Sequence, residues 1–369
     1  MREELFVADE RTLDDVSDAI STAPAVAIDT EFVRERTYYP ELCLIQIATP
    51  EVIACIDCLG SIELAPLFAA LLRPDCHWVL HSSRQDLEVI WNRTNALPAH
   101  LCDTQIAAGL IGFHPQLGLQ DLIENLLGVR LAKGHTRTDW SKRPLPAAAL
   151  HYALDDVRHL LPAWVDLHAR LVTLGRFDWF EEDCARLTRE PPVADLVTVF
   201  RRLMPPGLSP PQQRAAFSLV EWRERRAQTS NRPRRWIMAD EHLLRIARAL
   251  PVRAADLRAI ADLPRGTVAH SGAEILTAVA QSDTPEVHAL VSAAVDDARP
   301  DKSRAADIQV TVKRRAEELG IQPEVLATRR DINALAAGAD LGDTLSGWRA
   351  AELARVLAEA KGSRGASQP

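Results

Sequence analysis

The spacing of hydrophobic positions changes midway along the chain. In the first half, apolar runs of strand length alternate with segments of helical period. Ala25–Asp29 is a short apolar run that ends in acids, and Leu42–Thr49 (LCLIQIAT) and Val52–Ile56 (VIACI) read as further strands separated by the turn-forming Pro50. Ala65–Leu72 predicts a short helix with Pro66 in its first turn. Trp78–His81 predicts a buried strand, Ser83–Trp91 a helix, and Leu101–Asp103 another short strand. Helices are expected at Thr104–Ile111 and Gly118–Leu127. Residues 129–145 have no periodicity and read as a loop, after which Pro146 begins a long helix to about Val172. This order predicts an α/β domain built on a mixed sheet.

The second half has a different character. Prolines 191, 192, 205, 206, 210 and 211, with Gly207 among them, mark 191–208 as a linker around at most one short helix. After Gln212 no strand pattern remains. Ala, Leu and Arg recur at helical spacing, interrupted at Pro251, Pro264, Pro285, Pro300 and Pro323, which predicts one or two small helical bundles. PVRAADL at 251–257 and PEVL at 323–326 hint at an internal repeat of the bundle. KGSRGASQP, 361–369, reads as a disordered tail.

Composition narrows the class without choosing a function. The 369 residues suffice for two or three domains, and 47% hydrophobic with 25% charged residues is globular usage. No apolar run approaches bilayer length, and MREELFVADE has no secretory core, so a cytoplasmic protein is expected. Most of the six cysteines lie in apolar runs and behave as small hydrophobes. Cys55 and Cys58 form a CxxC with no second ligand pair at zinc spacing. The net charge is −8, yet residues 201–250 hold eleven Arg against four acids. An acidic body with a basic segment suits an enzyme that holds cations with carboxylates and grips a polyanion elsewhere. A solvated Arg-rich helix face explains the charge equally well.

Three segments carry candidate chemistry. In Asp29-Thr30-Glu31, two carboxylates two residues apart on a strand point to the same side. Like charges so placed invite a hard divalent cation such as Mg²⁺ or Mn²⁺. HSSRQD, 81–86, passes from strand to helix and puts Asp86 in the first turn, where the helix dipole favours an acid. Taken alone it is an ordinary N-terminal helix acid, and His81 an ordinary strand-end histidine. In YALDD, 152–156, Tyr152 and Asp156 share a helix face one turn apart. Asp155, three residues from Tyr152, satisfies the spacing as well.

Together these segments resemble the ribonuclease D family: DTEF at 29–32, HSSRQDLEVI at 81–90 and YALDD at 152–156 are similar to its three exonuclease motifs. LCLIQIAT at 42–49, CDTQIAA at 102–108 and TDWSKRPL at 138–145 also look like the family, and the likeness spans nearly all of 5–190. The tyrosine places the chain in the Asp-Glu-Asp-Asp-Tyr group, whose metal-binding acid stands four residues after it, which selects Asp156. Residues 219–251 resemble the helicase-and-ribonuclease-D C-terminal (HRDC) domain, with a fainter second copy over 292–360.

The resemblance implies a ribonuclease H-like exonuclease domain over 1–190, the 191–208 linker, an HRDC bundle over 209–285 and a degenerate HRDC-like bundle over 292–360. It implies 3′→5′ hydrolysis of RNA with two divalent ions, Mg²⁺ or Mn²⁺. Asp29 would bridge them, Glu31 and Asp156 would hold one, Asp86 would serve the other, and Tyr152 would position the attacking water. Phe32 would wedge against the terminal base. Arg223, Arg232, Arg234 and Arg235 would contact RNA phosphates. The expected partner is RNA with a 3′ tail, such as a tRNA precursor, with no membrane. A DNA exonuclease on the same site and a non-catalytic RNA-binding protein are the alternatives.

Overall fold

A computed structural model describes residues 3–131, 138–193, 195–295 and 301–365, with side chains to 356. The chain divides into two compact units. Residues 1–33, 42–192 and 298–369 form the first, and 34–41 with 193–297 form the second.

In the first unit the chain runs β1 (Glu3–Val7), α1 (Glu10–Thr22), β2 (Ala25–Val33), β3 (Glu41–Ala48), β4 (Val52–Asp57), α2 (Ala65–Leu71) and β5 (His77–Leu80). It continues through α3 (Arg84–Thr94), β6 (His100–Asp103), α4 (Thr104–Leu110), α5 (Leu119–Leu127), α6 (Ala147–Arg158), α7 (Leu160–Thr173) and α8 (Phe177–Thr188). The sheet order is β1-β4-β3-β2-β5-β6, with β1–β4, β2–β5 and β5–β6 parallel and β3–β4 antiparallel, the expected mixed sheet. Its central strands carry Val26, Ile28, Leu44, Ile45, Ile47 and Ile56 fully buried, because helices cover both faces.

Four features differ from the sequence reading. β1 and α1 add an edge strand and a helix before the first expected strand. In α1, Asp9 caps the Thr12 N–H at 3.0 Å and Leu13, Val16 and Ile20 form the buried stripe. β2 runs four residues beyond Asp29. The long helix from Pro146 breaks at His159, leaving α6 and α7, with Pro146 as N-cap and not first helical residue. The expected tail begins as helix, since 361–365 belong to the last helix; 366–369 lie outside the described residues, as do 132–137 of the expected loop.

The second unit contains α9 (Leu196–Leu203), α10 (Pro210–Ser230), α11 (Arg234–Ile237), α12 (Asp240–Ala249), α13 (Ala254–Arg258), α14 (Arg265–Ala280) and α15 (Pro285–Val295). Residues 191–208 are therefore more than linker: Phe200 of α9 is fully buried and meets Phe217 edge-on at 5.3 Å. Proline marked the ends of this helix, and its amphipathic interior decided its packing. Tyr38 belongs to this unit; its hydroxyl donates to Glu224 at 3.0 Å, and Asn231 Oδ1 accepts the N–H groups of Tyr38 and Tyr39 at 3.1 Å.

The last helices, α16 (Lys302–Leu319), α17 (Pro323–Leu326), α18 (Arg329–Ala337), α19 (Leu341–Thr344) and α20 (Gly347–Gly365), pack within the first unit. Asp183 of α8 is nearly fully buried and accepts from both terminal nitrogens of Arg349 and from Trp348 Nε1 at 3.3 Å. Trp179 and Trp348 stack with centroids 4.4 Å apart. Gly112, at φ 108°, faces the Gly320 carbonyl so closely that any Cβ would collide with it. No described helix is long and apolar enough to cross a membrane. Asp183→Ala strips the acceptor from a half-buried guanidinium and a buried indole, so we expect about 2–4 kcal/mol of lost stability, read by urea unfolding. An unchanged midpoint would show that Asp183 does not hold the bundle.

Candidate active site

The strand pleat puts Asp29 and Glu31 on one face of β2. On its β5 side β2 outruns its neighbour: that pairing covers Ala25–Ala27, so both acids lie beyond the end of β5. After β5 the chain turns at Ser82, which takes a left-handed backbone at φ 61°. Asp103 holds that turn. Its carboxylate accepts the Ser82 N–H at 3.2 Å and the Ser83 N–H and hydroxyl at 2.8 Å each, and it also caps α4. α3 therefore starts beside β2, and Asp86 in its first turn meets Thr30. The Thr30 hydroxyl donates to Asp86 Oδ1 at 2.6 Å and its N–H donates to the same oxygen at 3.1 Å. The residue between the two acids of β2 thus anchors the third, leaving Oδ2 for other work.

α6 brings the fourth acid. Oxygens of Asp29, Glu31 and Asp156 all lie within 4.8 Å of one another, and the Tyr152 hydroxyl hydrogen-bonds Asp156. Asp155, left open by spacing, points elsewhere: it accepts from Arg158 Nε at 2.8 Å and lies 3.5 Å from His151. His81 is a satisfied histidine, with Nδ1 2.9 Å from the Thr104 hydroxyl and Nε2 2.9 Å from the Leu117 carbonyl. Trp140 lies against Tyr152 with centroids 6.4 Å apart. Arg143 fixes that segment by a two-pronged bridge to Asp57, 2.7 and 2.6 Å, and by donating to the Trp140 and Cys43 carbonyls. Thr30, Asp103 and Arg143 were missed as site-builders. Asp103-Thr104 at a strand-to-helix boundary is a legible N-cap signal; the other two roles depend on distant partners.

Burial and mutual repulsion set the electrostatics. Asp29 is pushed well above the usual carboxylate range, first by desolvation and then by Asp86, Asp156 and Glu31. Burial and the neighbouring acids raise Glu31 to about 8. Burial dominates for Asp156, raised to about 7, and for Asp86, raised to about 6 against the opposing hydrogen bonds of Thr30. The Tyr152 phenol is driven up by burial and by Asp156, so it stays protonated. Four acids with no cationic side chain among these influences fit a hard divalent cation, which favours their ionised form. Burial pushes the nearby Cys55 thiol up to about 12.

The remaining expected contacts separate. Phe32 is half-buried and belongs to neither hydrophobic core. Arg223 is corrected: it is buried, bonding Asp240 at 2.6 Å and the Met238 carbonyl at 3.1 Å, because it faces the interior of its bundle. Arg234 is also committed internally, to Glu224 at 2.5 Å and over the Tyr38 ring at 4.8 Å. Arg232 and Arg235 are exposed.

A mixed sheet with an acid cluster on β2, beyond the end of β5, and a tyrosine one helical turn from the last acid defines a 3′→5′ exonuclease. A family model described as 3'-5' exonuclease matches residues 5–172, and one described as HRDC domain matches 212–279. The chain is 36% identical to ribonuclease D of Granulibacter bethesdensis, over 88% of this chain and 84% of that one, and 36% identical to ribonuclease D of Gluconacetobacter diazotrophicus, over 94% and 89%. The crystal structure of Escherichia coli RNase D, an exoribonuclease involved in structured RNA processing, superposes with a TM-score of 0.79 at 28% identity, covering 97% of this chain and 99% of that one. The chain belongs to the ribonuclease D family.

The raised carboxylates make a stability prediction for metal-free protein. A folded-state pKa above the unfolded value contributes stability below the unfolded carboxylate range, about 4, that is lost as pH rises through the folded value. Here the loss runs through about 6, 7 and 8 for Asp86, Asp156 and Glu31. In EDTA, Asp156→Asn should match wild type in thermal midpoint below about pH 4 and become progressively more stable than wild type as pH rises from there to about 7. A difference that does not grow with pH would refute the repulsion.

Proposed function

We propose that this protein trims RNA from its 3′ end by hydrolysis assisted by two divalent ions, Mg²⁺ or Mn²⁺. The observation that carries this reading is the convergence of Asp29, Glu31 and Asp156 within 4.8 Å, with Asp86 close enough to raise Asp29. Asp29 would serve both ions, Glu31 and Asp156 would hold one, and Asp86, anchored by Thr30, would serve the other. When bound, such ions stabilise the attacking and leaving oxygens of the phosphodiester. Tyr152, held protonated between Trp140 and Asp156, orients the attacking water by hydrogen bonding and does not act as its base. Phe32, outside both cores, wedges against the terminal base.

The substrate we infer is structured RNA with a short 3′ tail, such as a tRNA precursor in the cytoplasm. The E. coli enzyme's role in structured RNA processing supports it. Most of the arginine-rich segment faces its own acids: Arg214 with Asp283, Arg225 with Glu221, Arg226 with Glu274 and Arg245 with Asp262. Arg232 and Arg235 remain as phosphate grips, beside a Trp236 that is 63% exposed and offers a stacking face. We read α16–α20 as a second, degenerate HRDC copy, because their long-short-medium-short-long order repeats that of α10–α14.

End-labelled RNA and a matched DNA oligonucleotide, digested with Mg²⁺ or Mn²⁺, test the reaction. Asp29→Asn and Asp156→Asn should each lower turnover on RNA by about 10³-fold or more with the fold retained. Full activity in either removes the carboxylate assignment, and faster cleavage of DNA transfers the site to the DNA reading. Tyr152→Phe should slow turnover about 100-fold while RNA affinity stays within about twofold. For the grip, Arg232→Ala combined with Arg235→Ala should flatten the salt dependence of RNA binding by about 0.7 in log–log slope for each phosphate no longer neutralised. An unaltered slope would move the grip elsewhere.

A further inference from the structure

Gln46, in the middle of β3, is fully buried, and neither its amide nitrogen nor its amide oxygen has a hydrogen-bond partner among the described residues. A buried amide left unpaired at both ends costs stability, about 1–3 kcal/mol per group. Buried polar groups in native proteins otherwise find partners, so a pair of orphaned atoms in the centre of a sheet calls for a reason. Leucine or methionine would fill the same space without that cost.

The sheet register says where Gln46 stands. It lies directly opposite Cys55 in the antiparallel β3–β4 pair, and directly opposed residues present their side chains on the same face. The Cys55 thiol is raised, after burial itself, by the charges of Asp29, Glu31 and Asp156. That face is therefore the one that carries the acid cluster. β3 is the strand between β4 and β2, so Gln46 stands on the strand next to the one that carries the acid pair. Cys55, the neutral thiol opposite it, makes no hydrogen bond with the amide either.

We propose that Gln46 is a positioning residue of the metal centre, resting on the functional reading above. Its amide hydrogens are for the carboxylate oxygens of Asp29 and Glu31 that cation binding leaves unused, and its carbonyl for a water hydrogen at the site. A carboxylate has about four acceptor positions, so ligation leaves room for a donor. Outer-sphere donors of this kind orient ligating groups, and their loss typically lowers metal affinity about 10–100-fold. Glutamine suits the position better than lysine or arginine, since a fixed cation there would compete with the metal for the same negative charge. The stability lost in the metal-free protein is recovered when the site is filled.

The test separates this role from a structural one. Full-length wild type, Gln46→Leu, Gln46→Met and Asp29→Asn are compared by Mn²⁺ titration calorimetry and by thermal unfolding in EDTA. Gln46→Leu should bind Mn²⁺ at least about tenfold more weakly, yet unfold in EDTA at the same or a higher temperature than wild type. Gln46→Met, which keeps the unbranched shape, should do the same and stands in if the leucine variant does not fold. Mn²⁺ affinity within twofold of wild type would overturn the proposal. So would a lower midpoint in EDTA for both variants, which would mean that the amide is already satisfied within the fold. Asp29→Asn is the control for the underlying reading. If it binds Mn²⁺ like wild type, the metal site itself is misassigned; if it alone loses binding, only the role of Gln46 fails.

Discussion

Repulsion among four carboxylates, Asp86 buried and the other three half-buried, is the constraint around which this protein is organised. Asp29, Glu31, Asp86 and Asp156 come from two strand positions and two helices. Every one is raised by burial, and Asp29 and Glu31 are raised further by the acids around them. Such a cluster is unfavourable in the empty protein and favourable once cations sit in it. Holding it open therefore requires a scaffold that does not relax. The sheet supplies that: Val26, Ile28, Leu44, Ile45, Ile47 and Ile56 are fully buried under helices on both sides, so β2 cannot shift to separate its acids.

Smaller devices transmit this rigidity. Asp103 fixes the Ser82 turn, the turn sets the start of α3, and Thr30 catches Asp86 as it arrives. Arg143 clips the segment before α6 to Asp57, and Trp140 in that segment backs Tyr152. Each device commits a charged or polar group to geometry. Gln46 is the exception, a buried amide with no hydrogen-bond partner among the described residues. The same division runs through the helical unit. Its arginines looked like a surface for RNA, but Arg223 and Arg234 are taken up by Asp240, Glu224 and Tyr38. Arginine count overstates the grip because a helical bundle with few aromatic core residues uses long cationic stems and their acids as packing material.

Much of the catalytic unit was legible because its signals are local. Strands β3 to β6 and helices α2 to α5 follow from runs of apolar residues bounded by proline, glycine or a capping acid. The acid pair of β2 follows from the pleat, and Tyr152 with Asp156 from the helical turn. Elements at the margins were not legible in the same way. β1 mixes acids with Leu5 and Phe6 and becomes a strand through its pairing with β4. α9 hides between prolines, and the break at His159 interrupts a pattern that is continuous in hydrophobic period.

By itself, then, the sequence determined the alternation of strands and helices, the four acids, the tyrosine and the family they mark, since each depends on residues within one or two turns of chain. Only the tertiary structure decided that Asp156 and not Asp155 joins the cluster by geometry, that Thr30 holds Asp86, that Arg223 is interior, and that the last bundle docks through Asp183 and Arg349. These are contacts between residues 15 to 166 positions apart in the chain, or choices between adjacent residues on one helix. Spacing along a chain cannot rank such alternatives, because what separates them is which partner's charge and which buried surface each side chain meets once the sheet has closed around it.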